Sequence, residues 1–483
     1  MFSMLLAVSV AAVVGILMGS YFAPKNFGYH DGQRVLEVLC VVLGTLSLIQ
    51  NLWRGTPAMV RIGKPVAGLW AMFLIIGFFS SLFAYSPRHA LYEWSSFGLL
   101  LVLAWIIANE VARNPVQQLD RMLLVLGLGC ALYVFKVALV YIFVLQSGTQ
   151  PEMSEFIIGF NNYRFFNHVQ TITLPLLGLL TLRSMQRGPA ADRLARYGWG
   201  LLSLWWMLLF VSAGRGTFMG VLAGMVAVIF WRRRQALPWC RVMLLSAMAG
   251  LAAYAVFFLL VPVLMGLQPF GFLNGVVERS IENPGSSRGA LWQRAGEMIL
   301  SHPLLGAGPL HFAHYGRDIN NGAHPHNWLL QIGAEWGVPA LIVLCAIIFM
   351  SFRRLLGSAT LIAAADLPNQ AVLTAWLATG VAVVVDGLVS GLIVMPSSQL
   401  WIVVYMGCAW GWVSSFSRHG GHEKPVISLR IRTGLGLLAL SMLFFIGNGL
   451  WPEIIDLPGY KKIQTQLHPE MDFAPRIWSL GYF

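Results

Sequence analysis

Residues 122–145 read MLLVLGLGCALYVFKVALVYIFVL, a run from Met122 to Leu145 with a single charge at Lys136. A helix needs ~20 consecutive apolar residues to cross the ~30 Å hydrocarbon core of a bilayer, and this run satisfies that alone. Comparable runs recur on both sides of it along the 483-residue chain. They predict thirteen candidate spans, at roughly Leu5–Phe22, Val35–Trp53, Val66–Ala84, Ser95–Ala108, Met122–Leu145, Val169–Leu182, Gly198–Ser212, Thr217–Trp231, Val242–Leu267, Val338–Phe352, Ala371–Val389, Leu400–Ser414 and Gly434–Leu450. Several are shorter than a straight crossing requires and are expected to extend into polar flanks, tilt or break. Leu5–Phe22 lacks the basic start of a signal peptide and has further spans after it, so it reads as a retained helix.

Composition agrees. Hydrophobic residues make up 57% of the chain, charged residues 11%, and mean hydropathy is +0.69, where a soluble domain carries about 25% charge. Long apolar runs, rather than ten-residue alternating segments, select helices over a barrel. The expected fold is an all-α, polytopic transmembrane bundle of about 12–13 spans with a large helical loop outside the membrane. Five cysteines (Cys40, Cys130, Cys240, Cys345, Cys408) lie far apart in or beside spans and suggest neither a disulfide framework nor a CxxC metal site.

Basic residues set the orientation. With the N-terminus cytoplasmic, the connections Trp53–Pro65, Asn109–Arg121, Arg183–Tyr197, Arg232–Arg241, Arg353–Gln370 and Ser415–Thr433 hold 19 Lys and Arg, against 12 over far more chain on the opposite side. The net charge of +12 is thus explained by topology, and no nucleic-acid partner is expected. The organisation follows: transmembrane helices over 1–267, an external loop over 268–336, further helices over 337–450, and an external tail over 451–483.

This orientation makes Arg164, Arg215, Arg279, Arg288, Arg294 and Arg317 conspicuous, because they lie where positive charge is sparse. Arg215, in Ser212-Ala-Gly-Arg-Gly-Thr217, sits in a turn between two apolar spans, where flanking glycines permit a sharp turn and close approach of an anion. Arg164 lies in Asn161-Asn-Tyr-Arg-Phe-Phe-Asn167. Each either snorkels to lipid headgroups or contributes to an anion site; guanidinium groups at an apolar rim suit a pyrophosphate, which they grip bidentately. Lys136 and Asp386 are intramembrane ionisable residues that either serve function or pair with each other. The pairing is the expectation, and neither is placed in the site.

Within the loop, Gly289–Leu300 predicts a helix whose apolar face is Leu291, Trp292, Ala295, Met298 and Ile299, capped by Ser286 or Ser287 and ended by Pro303. Arg288 then falls in its first turn, where free N–H groups favour an anion. His302-Pro-Leu-Leu-Gly-Ala-Gly-Pro309 lacks the P-loop spacing and reads as a turn. In Ala323–Gly337, Asn327, Gln331 and Glu335 form one polar helical stripe, and His326 stands at its mouth, with an ordinary pKa near ~6.5 suited to taking a proton at neutral pH. Five histidines (His302, His311, His314, His324, His326) share the loop, but there is no HExxH and there are few carboxylates, so no metal is expected.

Ser287-Arg-Gly289, Trp292, Pro303-Leu-Leu-Gly306 and His326-Asn327, followed after nine residues by Gly337, resemble the O-antigen ligase and polymerase superfamily, most strongly over Gly214–Gly337. Two departures stand out: Ala340 replaces the Gly, Thr or Tyr frequent in ligases, and thirteen spans with an external tail replace the usual twelve. The resemblance implies a bacterial inner-membrane glycosyltransferase working at the periplasmic face without cofactor or metal. It would move a glycan, with inversion, from undecaprenyl pyrophosphate to a sugar hydroxyl of lipid A–core. It makes His326 the catalytic residue and Arg215 and Arg288 donor-binding residues; Arg164 is added from its position. A polymerase or a protein O-oligosaccharyltransferase would share the donor, whereas a carrier or flippase would bind it without chemistry.

Overall fold

The computed structural model describes residues 3–18, 21, 29–55, 60, 63–149, 151–160, 162–188, 192–271, 288–319, 322–416 and 428–467. Among these the regular structure is helical. The main helices in chain order are α1 (Met4–Met18), α2 (Tyr29–Trp53), α3 (Lys64–Leu82), α4 (Pro87–Arg113), α5 (Pro115–Ser147), α6 (Tyr163–Gln186), α7 (Asp192–Ser212), α8 (Arg215–Arg232), α9 (Leu237–Leu264), α10 (Gly289–Ser301), α11 (Trp328–Trp336), α12 (Val338–Gly357), α13 (Leu367–Asp386), α14 (Pro396–Phe416) and α15 (Leu429–Leu467). Proline opens α3, α4, α5, α9, α12 and α13, where its missing N–H has no intrahelical partner to lose.

Eleven of these helices are long and apolar enough to cross a membrane, and the fold is an all-α polytopic bundle as expected. The other two expected spans are also helical. However, α1 has only 15 residues, and α14 carries Ser, Gln and Trp along a largely buried length. The short spans do lengthen into polar flanks. Ser95–Ala108 becomes Pro87–Arg113 and Val169–Leu182 becomes Tyr163–Gln186, because His89, Glu93, Asn167, His168 and Gln170 are buried among neighbouring helices.

Close helix packing is written in glycine. On α8, a Cβ at Gly216 would meet Asp386 Oδ1 at 2.3 Å, one at Gly220 the Ala382 carbonyl oxygen at 2.6 Å, and one at Gly224 the Ala378 carbonyl oxygen at 2.6 Å. This small-xxx-small stripe lets α8 and α13 approach backbone to backbone.

The connections sort to two ends of the bundle. At one end Ser3 bonds Glu110, the Val60 amide donates to Asn109 (3.0 Å), Asp120 pairs with Arg183 and Arg187, and Arg232 bonds Gln370. This basic end gathers the Lys- and Arg-rich connections. At the other, Arg34 binds Glu37 (2.9 Å), Gln399 (2.8 Å) and the Val394 carbonyl (2.9 Å), while Arg88 binds Glu453 (2.9 Å) beyond the apolar part of α15. The 288–337 segment lies at this second, loop end. There α10 packs Leu291, Ala295 and Met298 against Ala307, Phe312 and Ala334.

Candidate functional site

The site is built where the starts of α6, α8 and α10 meet the end of α13 and the entry to α11. Asn162 caps α6 by accepting from the Arg164 amide (2.9 Å), which leaves the Arg164 guanidinium exposed, 6.0 Å from the Tyr163 ring. Arg215 opens α8 and is exposed. The expectation that its flanking glycines make the turn is corrected. The positive φ, 52°, is at Ala213, and Gly214 and Gly216 are needed instead because Asn167 and Asp386 press against them.

Arg288 is the N-cap of α10 rather than part of its first turn, and its side chain caps nothing. The Ser286 and Ser287 caps lie outside the described residues, as does Arg279. Of the expected apolar face Trp292 is half exposed; its indole N–H donates to the Pro325 carbonyl (3.1 Å) and so ties α10 to the His324-Pro-His326 segment.

His326 takes a left-handed backbone, φ 54°, uncommon outside glycine and worth attention near a site. Its amide donates to His324 Nδ1 (3.3 Å), and the two rings lie 4.0 Å apart. His324 is wedged against Gly391, where a Cβ would meet its ring at 2.3 Å. The Trp328 amide and indole donate to Gly387 (2.9 Å) and Val384 (3.2 Å) carbonyls. The α13–α14 connection thus forms the wall behind His326, and Arg34 fixes that connection through Val394.

Electrostatically these groups form one cluster. His326 lies within reach of the Arg288 and Arg164 charges, and Arg288 within reach of Arg164, Arg215 and Asp386. Burial, then Arg288 and Arg164, push the His326 imidazole down to about 3. Its ordinary value of ~6.5 does not survive the site; the ring is neutral at physiological pH. Burial and the two neighbouring arginines also lower Arg288, an effect that Asp386 opposes.

The structure brings Arg164, Arg215, Arg288 and His326 together. It separates Arg294, which is committed to Asp318 (2.8 and 2.9 Å) and Glu297 (3.1 Å) within the loop. The expected pairing of Lys136 with Asp386 is corrected. Lys136 donates to the Leu17 (3.2 Å) and Ile158 (3.3 Å) carbonyls, whereas Asp386 accepts from Thr171 (2.5 Å) directly beneath the arginines. The Asn327, Gln331 and Glu335 stripe is structural: Asn327 caps α11, and buried Glu335 accepts from Gln331 (3.3 Å) and the Phe312 amide (2.9 Å). His302–Pro309 is a turn as read, docked through Ala307 N–H to the Ala334 carbonyl (2.8 Å) and Gly308 N–H to the Glu335 carbonyl (2.9 Å).

Sequence reasoning missed Asp386 as a site neighbour, and with it Asn167, His168, Thr171 and Thr217. Buried His168 lies within electrostatic reach of His326, Arg164 and Arg288, and Asn167 Oδ1 and His168 Nδ1 have no hydrogen-bond partner among the described residues. The available signal was the polar run Asn167-His-Val-Gln-Thr-Ile-Thr173 inside an apolar span. No group of three His, Cys, Asp or Glu suited to a metal occurs among the described residues. His311 spends both ring nitrogens, accepting from the Ser86 amide (2.9 Å) and donating to the Pro309 carbonyl (2.9 Å).

The fold and this cluster define a polytopic helical membrane protein with a cationic polar layer at one end of its bundle. Residues 200–345 match the family model described as O-antigen ligase, the same family that the sequence resembles. The matched region contains Arg215, Arg288 and His326, while Arg164 and Asp386 lie outside it. The match relates this stretch to membrane proteins of the glycosyltransferase type. No curated protein matches the chain at a significant level.

Proposed function

We propose that the protein is an O-antigen ligase of the bacterial inner membrane, transferring glycan from undecaprenyl pyrophosphate to a sugar hydroxyl of lipid A–core at the periplasmic face. The observation that carries this reading is the convergence of Arg164, Arg215 and Arg288 on a neutral histidine at the end of a membrane bundle. A lipid pyrophosphate carries its charge at this depth. Guanidinium groups held by three helix starts bind it and stabilise the negative charge that grows as it leaves.

In the step proposed, the acceptor oxygen attacks C1 of the sugar from the face opposite the pyrophosphate. The C1–O bond to pyrophosphate breaks, the leaving group takes the electron pair, and His326 takes the acceptor proton. Inversion follows from one displacement. With its pKa at about 3 the free site holds His326 unprotonated but weakly basic. A bound pyrophosphate offsets the arginine share of that depression, so part of the basicity returns when the donor is in place, while burial, the larger cause, remains.

The test offers purified, reconstituted protein the lipid-linked glycan together with lipid A–core. Glycan on lipid A–core is the expected product. Longer lipid-linked chains would make the protein a polymerase, and donor binding without transfer to any acceptor would make it a carrier.

A further inference from the structure

At the opposite end of α6 from Arg164 lies a second feature that the transfer reaction does not use. A cavity of about 1410 Å³ opens between α5 and α7 over the end of α6. That exceeds the ~300–1000 Å³ of a drug-sized ligand site. Its walls are apolar: Leu124, Leu128, Ala131 and Phe135 from α5, Leu201 and Leu204 from α7. Leu124, Leu128 and Phe135 are themselves exposed, so the cavity opens sideways toward lipid. From Arg121 to Ala138, both on its lining, α5 rises about 25 Å, enough to cover an acyl chain's share of the ~30 Å hydrocarbon core.

Its mouth is cationic. Arg121, Arg183, Arg187 and Arg196 ring the basic end of the cavity, and Asp120 is the sole acid in the lining. That carboxylate is already shared by Arg183 (2.9 Å) and Arg187 (2.7 Å). Arg121 and Arg196 have no ion pair among the described residues, although Asp192 stands one turn before Arg196. An apolar groove ending in surplus guanidinium matches one kind of molecule: acyl chains below an anionic phosphate.

We infer that the α5–α7 groove is a binding site for an anionic glycerophospholipid, with its phosphate on Arg121 and Arg196 and its acyl chains along α5. The site is remote from Arg164, Arg215, Arg288 and His326 and does not depend on the reaction assigned to them.

The test uses the full chain, purified and equilibrated with phosphatidylethanolamine, phosphatidylglycerol or cardiolipin, with retained lipid read by native mass spectrometry. The expected result is retention of phosphatidylglycerol and cardiolipin over phosphatidylethanolamine, reduced about tenfold in Arg121→Gln/Arg196→Gln. Both side chains are exposed, so the fold is not at stake. Ala131→Phe, which fills the groove and leaves the arginines intact, is expected to release the lipid as well. Equal retention of phosphatidylethanolamine would overturn the proposal. So would lipid retained in Ala131→Phe, which would reduce the effect to surface charge, or a dimer that the arginine substitutions dissociate.

Discussion

His326 shows how a site changes the chemistry of a residue that sequence alone can pick out. Its position after a loop and before a span was legible, as were Arg215 and Arg288. What the sequence could not supply was the company of Arg164 and Arg288, which with burial drives its imidazole down to about 3. Nor could it place Asp386 there, 171 positions after Arg215, since a lone acid in an apolar span gives no hint of which helix it faces. The charge balance has a kinetic consequence. If the proposed pyrophosphate donor binds at these arginines it raises the His326 pKa, and the acid limb of kcat, which reports the donor complex, is then expected at higher pH than that of kcat/KM, which reports the free enzyme. Both limbs follow from pH–rate profiles with saturating and limiting donor. Coincident limbs would show that the donor does not neutralise this cluster.

Helices were the most legible elements, because hydropathy over some twenty residues records burial in lipid directly. Their ends were not. α4 and α6 run past their apolar windows since His89, Glu93, Asn167 and Gln170 face other helices and not lipid, and hydropathy cannot tell a buried polar residue from a solvated one. The Gly216, Gly220 and Gly224 stripe of α8 stood in plain view, but its partner, α13, did not. That contact fixes Arg215 relative to Asp386. Gly220→Ala puts a methyl 2.6 Å from the Ala382 carbonyl, and overpacking of this kind costs about 1–3 kcal/mol. The expected outcome is a lower thermal unfolding midpoint in detergent together with slower transfer. An unchanged midpoint would mean that the two helices separate without penalty.

Across the whole molecule, the counting of arginines and lysines and the sorting of connections into two ends lead to the same arrangement. The basic end collects Asp120 with Arg183 and Arg187, and the loop end collects Arg34, Arg88 and the 288–337 segment. A cysteine at exposed Arg317 is therefore expected to react with an impermeant maleimide in intact spheroplasts, and one at Arg187 only after permeabilisation. The native cysteines lie within helices and Cys345 is exposed, so the labelling is done in a background with the native cysteines replaced. The reverse pattern would invert the orientation. The role proposed for His326 stands or falls on transfer of glycan from undecaprenyl pyrophosphate to lipid A–core by reconstituted protein and by its His326→Ala variant, each with donor binding measured in parallel. Donor binding is expected within about twofold of wild type and transfer slowed at least ~100-fold, the lower bound for losing a general base. Transfer by the variant at more than about a tenth of the wild-type rate would contradict that role.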